Sequence, residues 1–325
     1  MIRTRVCDLL GIRYPIALGG LGGGHTRPEL VAAVSEAGGF GAQGCHQLSA
    51  AQIHDAAAAI RDRTTKPFAF NFLMFLFDED GFAAALKEKP AAIALAWPRP
   101  DQDLKRAIGR AHDVGAKVTL MAGGVPEAEA GVAAGADVII AQGTEGGGHV
   151  GWMATMALAP MVVDAVAPVP VLVAGGIADG CGLAAALALG ADGVLLGTRF
   201  LASSEAPLHE KFKQAIVQSD GHDTVLTEIP DIAAGVVWPG AMSRAKRNGF
   251  IERWAGREWT LRQRQTEVLA HIQAARKVGD VNDTPLSFGQ DAGLIKDILP
   301  AGEIVRRIAK EAEDILSKRL PALIK

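Results

Sequence analysis

The sequence predicts a (β/α)8 barrel, a TIM barrel, with a smaller, mainly helical lobe after the eighth strand. Three observations lead there. Short apolar runs bounded by glycine alternate with alanine-rich helical stretches, which is the pattern of successive βα units on a parallel sheet. Eight such runs fall within about 200 residues, which suits a closed barrel better than an open doubly wound sheet. Two segments, AGVAAGADVIIAQGTEGG and AALALGADGVLLGTRF, repeat one design of helix, Gly-Ala-Asp, apolar strand and Gly-Thr. Their shared GAD stops a helix and leads into a buried strand, so the likeness marks consecutive units and carries architecture only.

Taken in order, the strands are expected at 16–18, 40–42, 68–71, 92–96, 117–121, 138–141, 171–174 and 194–196. Amphipathic helical stretches lie between them at 28–37, 50–61, 81–87, 101–114, 125–134 and 181–189, each ending near a glycine that serves as a stop. After Ala206 the alternation ceases, and 207–290 reads as a mainly helical lobe with charged stretches around Trp254 and Trp259. Within the final part, 291–325, residues 302–319 form a strongly amphipathic helix expected to pack back on the barrel, 1–206.

The composition suits this reading and narrows the function. Of 325 residues, 49% are hydrophobic, only 21% are charged, and 38 are glycine, so a large core packed with small side chains is expected and disorder is not. A net charge of −3 gives no reason to expect nucleic acid or an anionic membrane as partner, and a small-molecule enzyme is the better default. The N-terminus has no sustained apolar segment, and no run of about 18 uncharged apolar residues occurs elsewhere, which predicts a soluble cytoplasmic protein. Cys7, Cys45 and Cys181 are too scattered to suggest a disulfide framework or a CxxC motif. Nothing resembles an HxxxH or clustered-carboxylate metal site.

In this fold the reacting groups sit where the strands end, because the loops converge there above a packed interior. The loop after the seventh strand is AGGIADG and that after the eighth is LGTRF. Glycines there let a ligand approach the backbone, and the N–H groups with a following helix N-terminus make a phosphate site at Gly175, Gly176, Gly197 and Thr198. After the sixth strand, AQGTEGGGHVG carries three consecutive glycines, an entropic cost best explained by close approach to a flat ring. His149 follows directly, where it could overlie that ring and move a proton near neutral pH. Glu145 is close enough in sequence to orient it, or else is solvated on the rim. Of the other histidines, His25 reads as a loop residue before a helix start at Thr26 and Pro28, whereas His46, beside Cys45, is a candidate for the substrate pocket. Asp179 reads as a turn or capping residue. The run GGLGGG lacks the acidic partner of a dinucleotide-binding GxGxxG, so no Rossmann domain is expected.

Together QGTEGGGHVG, VLVAGGIADG and GADGVLLGTRF resemble the flavin-binding motifs of the nitronate monooxygenase family, also known as 2-nitropropane dioxygenases. PIALGG, the asparagine of FAFNF, RNGF and GQDAGLIKDILPAGEIV extend the resemblance over almost the whole chain. It implies an FMN oxidoreductase with a small-molecule substrate and dioxygen or NAD(P)H as co-substrate, its oligomeric state left open. Ala17, Leu18 and Gly19 would contact the isoalloxazine through backbone, and Asn71 and Gln142 would bond the flavin edge or ribityl chain. Gly147 and Gly148 would lie against the cofactor, while Gly289 and Gln290 would close the site. His149 falls on the family's proton-handling histidine. Two departures bear on the substrate: the only tyrosine is Tyr14, and Leu18 stands where many relatives carry glutamine. Relatives on the same barrel act as NAD(P)H:quinone reductases or flavin-type enoyl-acyl carrier protein reductases.

Overall fold

The computed structural model describes residues 1–324, and in them all eight runs become strands of one parallel sheet. These are Ile16–Leu18, Gly41–Gly44, Phe68–Leu73, Ala92–Ala96, Lys117–Ala122, Val138–Gln142, Val171–Ala174 and Gly193–Leu196. From the first strand the sheet runs to the eighth and then back in order to the second. A single bridge, Ala17 to Phe40, closes it, with Leu18 N–H donating to the Phe40 carbonyl and Phe40 N–H to the Ile16 carbonyl, both at 2.9 Å. The barrel is therefore complete.

Alternation along each strand divides two cores. Ala17, Ala42, Ala69, Ala92, Val138, Ile140, Leu172 and Ala174 fill the interior, where small side chains suit a narrow barrel. Ile16, Leu18, Phe68, Phe70, Ile93, Leu95 and Val173 face outward onto the helices. Both faces are buried, which is why these strands read as continuous apolar runs. A helix the sequence reading lacked, Arg5–Leu10, adds Val6, Cys7 and Leu10 to the interior cluster and so plugs one end. Its Arg5 pairs with Asp192 at 2.7 Å.

The repeated GAD has one physical job in both places. Asp137 accepts a hydrogen bond from Val118 N–H at 2.8 Å, and Asp192 accepts one from Val171 N–H at 3.2 Å. Each aspartate thus ties the start of its own strand to the strand before it.

The helices Pro28–Glu36, Ala50–Arg61, Glu79–Lys87, Leu104–Asp113, Val125–Ala134, Thr155–Val166 and Gly180–Ala188 surround the sheet. Asp179 caps the last of these, accepting from Gly182 N–H at 3.0 Å. The C-terminal helix Ala301–Asp314, continued by a wider turn through Ile315–Arg319, packs on Gly180–Ala188 and Pro28–Glu36. It buries Ile304, Val305, Ile308, Ala309 and Ala312.

The lobe is largely helical and has its own core around Ile232, Phe250, Trp254, Leu261 and Ile272. It also holds an element absent from the sequence reading. Strands Thr224–Thr227 and Met242–Lys246 pair with each other, and the latter pairs antiparallel with Gly148–Val150, setting Ser243 opposite His149. The glycine run after the sixth barrel strand is therefore loop and then strand, and it stitches the lobe to the barrel.

Candidate active site

The loops after the seventh and eighth strands are built as a cradle. Gly175 and Gly176 take φ of +94° and +75°, a region that suits glycine. A Cβ on Gly175 would lie 2.6 Å from the Gly143 carbonyl, so no larger residue fits without moving that loop. The helix after the eighth strand, Thr198–Leu201, is a single turn. That corrects the expectation of a helix N-terminus contributing a dipole there. The Thr198 hydroxyl is already engaged, accepting from Gly289 N–H at 2.9 Å. It holds the C-terminal segment against the cradle.

Around this cradle the expected flavin contacts gather at the strand ends. Gln142 ends the sixth strand with a buried Oε1 that has no partner among the described residues, an acceptor available to a ligand's N–H or hydroxyl. Asn71, in the third strand, donates from Nδ2 to the Ala94 carbonyl at 3.2 Å. A Cβ on Gly20 would come 2.2 Å from that of Asn71, so the first loop passes closely over it. Ala17 and Leu18 are buried within the barrel wall and can offer only backbone, as can Gly19. Gly147 abuts the C-terminal segment, where a Cβ would meet the Phe288 and Gly289 backbone at 2.5 Å. Gly148, at φ +71°, has open space where its Cβ would be. Gln290 corrects its expected role: its side chain is exposed, and its contribution is a backbone N–H donated to the Glu145 carbonyl at 2.9 Å. These residues fit a flavin in having a free acceptor at Gln142 and glycines at the closest approaches.

His149 has partners that the sequence reading did not supply. Its Nε2 lies 2.7 Å from Asp231 Oδ1, and its ring stacks on Trp238 with centroids 3.4 Å apart and planes 9° from parallel. A carboxylate can only accept, so with Asp231 ionised Nε2 carries the ring proton and Nδ1 keeps a lone pair. That tautomer makes Nδ1 a base. Trp238 also meets Phe75 at 4.6 Å and Trp97 at 6.1 Å, forming an aromatic wall above the third and fourth strands. Trp97 holds φ +56°, a costly conformation for a bulky residue and one that recurs at ligand sites.

Glu145 does not orient His149. Its carboxylate accepts from Thr155 N–H at 2.9 Å and from the Thr155 hydroxyl at 2.8 Å, starting the next helix. Nor does His46 join His149. It lines a cavity with His25, beside the first loop, and burial lowers its pKa. Asp231, Trp238, Phe75 and Trp97 were the residues missed. Asp231 and Trp238 belong to the lobe, and no local pattern connects them to His149. Only the pairing of Gly148–Val150 with Met242–Lys246 brings the two regions together.

A parallel barrel with a ligand cradle, an unpartnered amide acceptor and an oriented histidine at the strand ends defines a cofactor-dependent barrel enzyme. The family model described as nitronate monooxygenase matches residues 3–97 and 79–311. The chain belongs to the nitronate monooxygenase family, a family of flavoproteins, and is an oxidoreductase. A probable nitronate monooxygenase of Staphylococcus saprophyticus is 30% identical, over 98% of this chain and 99% of its own. Among solved structures, FabK from Thermotoga maritima superposes with a TM-score of 0.88 at 34% identity, each chain covered fully. The nitroalkane oxidase of Streptomyces ansochromogenes gives 0.82 at 28% identity, over 96% of this chain and 99% of its own. No helix of the described residues is long and apolar enough to cross a membrane.

Proposed function

We propose that the protein is an FMN-dependent nitronate monooxygenase that oxidises alkyl nitronates or nitroalkanes with dioxygen. The observation that carries this reading is His149, held by Asp231 with its Nδ1 free beside the glycine loop. When bound, FMN would supply the redox chemistry, taking electrons from the substrate and passing them to dioxygen. Backbone at Gly175, Gly176, Gly197 and Thr198 would hold its phosphate, Gln142 and Asn71 its polar groups, and the backbone of Ala17, Leu18 and Gly19 its ring.

His149 Nδ1 would accept the proton from the carbon beside the nitro group, and the nitronate left behind is the electron-rich form to be oxidised. Asp231 would stabilise the imidazolium that results. Trp238 fixes the plane of the imidazole, and the apolar wall of Phe75, Trp97 and Trp238 suits an alkyl chain and keeps water from the carbanion. A second reading, an NAD(P)H-dependent quinone or enoyl reductase, draws support from the likeness to FabK.

Anaerobic mixing separates the two. The yellow protein is mixed in turn with an alkyl nitronate, NADH and NADPH while flavin absorbance is followed. Bleaching by the nitronate alone is expected. Rapid bleaching by a pyridine nucleotide, with none by the nitronate, would replace the first reading with the second.

A further inference from the structure

Gly22, Gly23 and Gly24, the second half of the run GGLGGG, have no part in the site above, and Gly23 and Gly24 border a cavity. That cavity, about 790 Å³, opens between the first loop, the end of the second strand, one face of helix Ala50–Arg61 and the lobe. It shares the Phe288 wall with Gly147, so it adjoins the proposed flavin loops. Its size suits a ligand far larger than a short alkyl nitronate.

The chemistry of its wall is that of an anion site. Two arginines, Arg27 and Arg276, face it against one carboxylate, Asp55. Arg276 has no side-chain hydrogen bond and no ion pair among the described residues, although its partial desolvation lowers its pKa. An exposed guanidinium that lines a cavity without a protein partner is free to take a planar or tetrahedral anion. Beside it, His25 is pushed down to about 4 by burial and by the charge of Arg276, so at neutral pH it offers a ring N–H without adding charge. Gly23 and Gly24 stand at φ +69° and +75°, and none of the backbone N–H groups from Gly22 to Thr26 donates to another described group. These amides are left without a partner among the described residues, on the loop that lines the cavity with Arg276.

We propose that this cavity binds a phosphate- or diphosphate-bearing ligand through Arg276, His25 and the amides of the first loop, at a site separate from the flavin phosphate. The assignment does not depend on which redox reaction the enzyme performs.

Isothermal titration of the flavin-loaded protein with ADP, inorganic pyrophosphate and sodium propionate tests it. ADP and pyrophosphate should bind with the flavin still in place and propionate at least tenfold more weakly, about 1.4 kcal/mol. Arg276→Ala should weaken both phosphate ligands by roughly tenfold or more while flavin absorbance stays as in the wild type. Ala59→Trp, which fills the cavity from the helix wall, should do the same without touching a charge. Three results would overturn the proposal: no phosphate binding by the wild type, equal binding by wild type and Arg276→Ala, or propionate binding as tightly as pyrophosphate. Binding of ADP only after flavin removal would overturn it as well, because the ligand would then be occupying the flavin cradle.

Discussion

The bond between His149 Nε2 and Asp231 Oδ1 spans 82 positions, and it converts a loop histidine into an oriented base. Its consequences can be measured separately on two substrates. His149→Ala should retain flavin, because the phosphate and edge contacts come from other loops, while turnover of a neutral nitroalkane falls about 10²-fold or more. Oxidation of the preformed nitronate should fall less, its proton being already gone. Asp231→Asn keeps the shape but removes the charge that favours the imidazolium. It should lower nitroalkane turnover by roughly tenfold or more, with little change on the nitronate. A second residue gives a stability test. Buried Asp291 has its pKa raised, chiefly by burial, from the ordinary 3.8 to about 7. The folded chain therefore binds a proton that the unfolded chain releases above about pH 4. Stability from this group is complete below that pH and is lost as pH rises through about 7. Asp291→Asn should lessen the loss of Tm between pH 5 and 8, an effect on the order of 1 kcal/mol or more. An unchanged pH dependence would show that Asp291 is not the group responsible. At this scale the three glycines before His149 made it a candidate from the sequence, whereas Asp231 and Trp238 gave no such signal, since their proximity to it is created by tertiary pairing.

Among the elements, the eight strands were legible to within a few residues because burial on both faces leaves an apolar run with little ambiguity. Gly148–Val150 was not. GGGHVG has neither the length nor the β-branched content of a strand, and its extended form depends on Met242–Lys246, which pairs with it from the lobe. The helix Arg5–Leu10 escaped for a related reason, because its six residues are too few to show a period. The loop after the seventh strand yields the prediction at this scale. Valine at Gly176 would have to take φ +75° and place its Cβ 3.4 Å from that of Glu145, and its methyl groups would enter the cradle. Gly176→Val should lose flavin on gel filtration while circular dichroism keeps the signature of the barrel. Flavin retained at wild-type affinity would mean that the phosphate lies elsewhere.

The whole molecule is a barrel closed by its last helix, with a lobe that reaches over the mouth to supply Asp231 and Trp238. Eight βα units and the motifs after strands six to eight were enough to reveal the barrel and the family. What the lobe adds was hidden, because its strands are short and its partners lie far away along the chain. The account as a whole rests on one cofactor with one phosphate, held where the seventh and eighth strands end. Denaturing the purified yellow protein and separating the released flavin by chromatography tests this directly. FMN close to one equivalent per chain is the predicted result; stoichiometric FAD, or no flavin even after reconstitution, would contradict it.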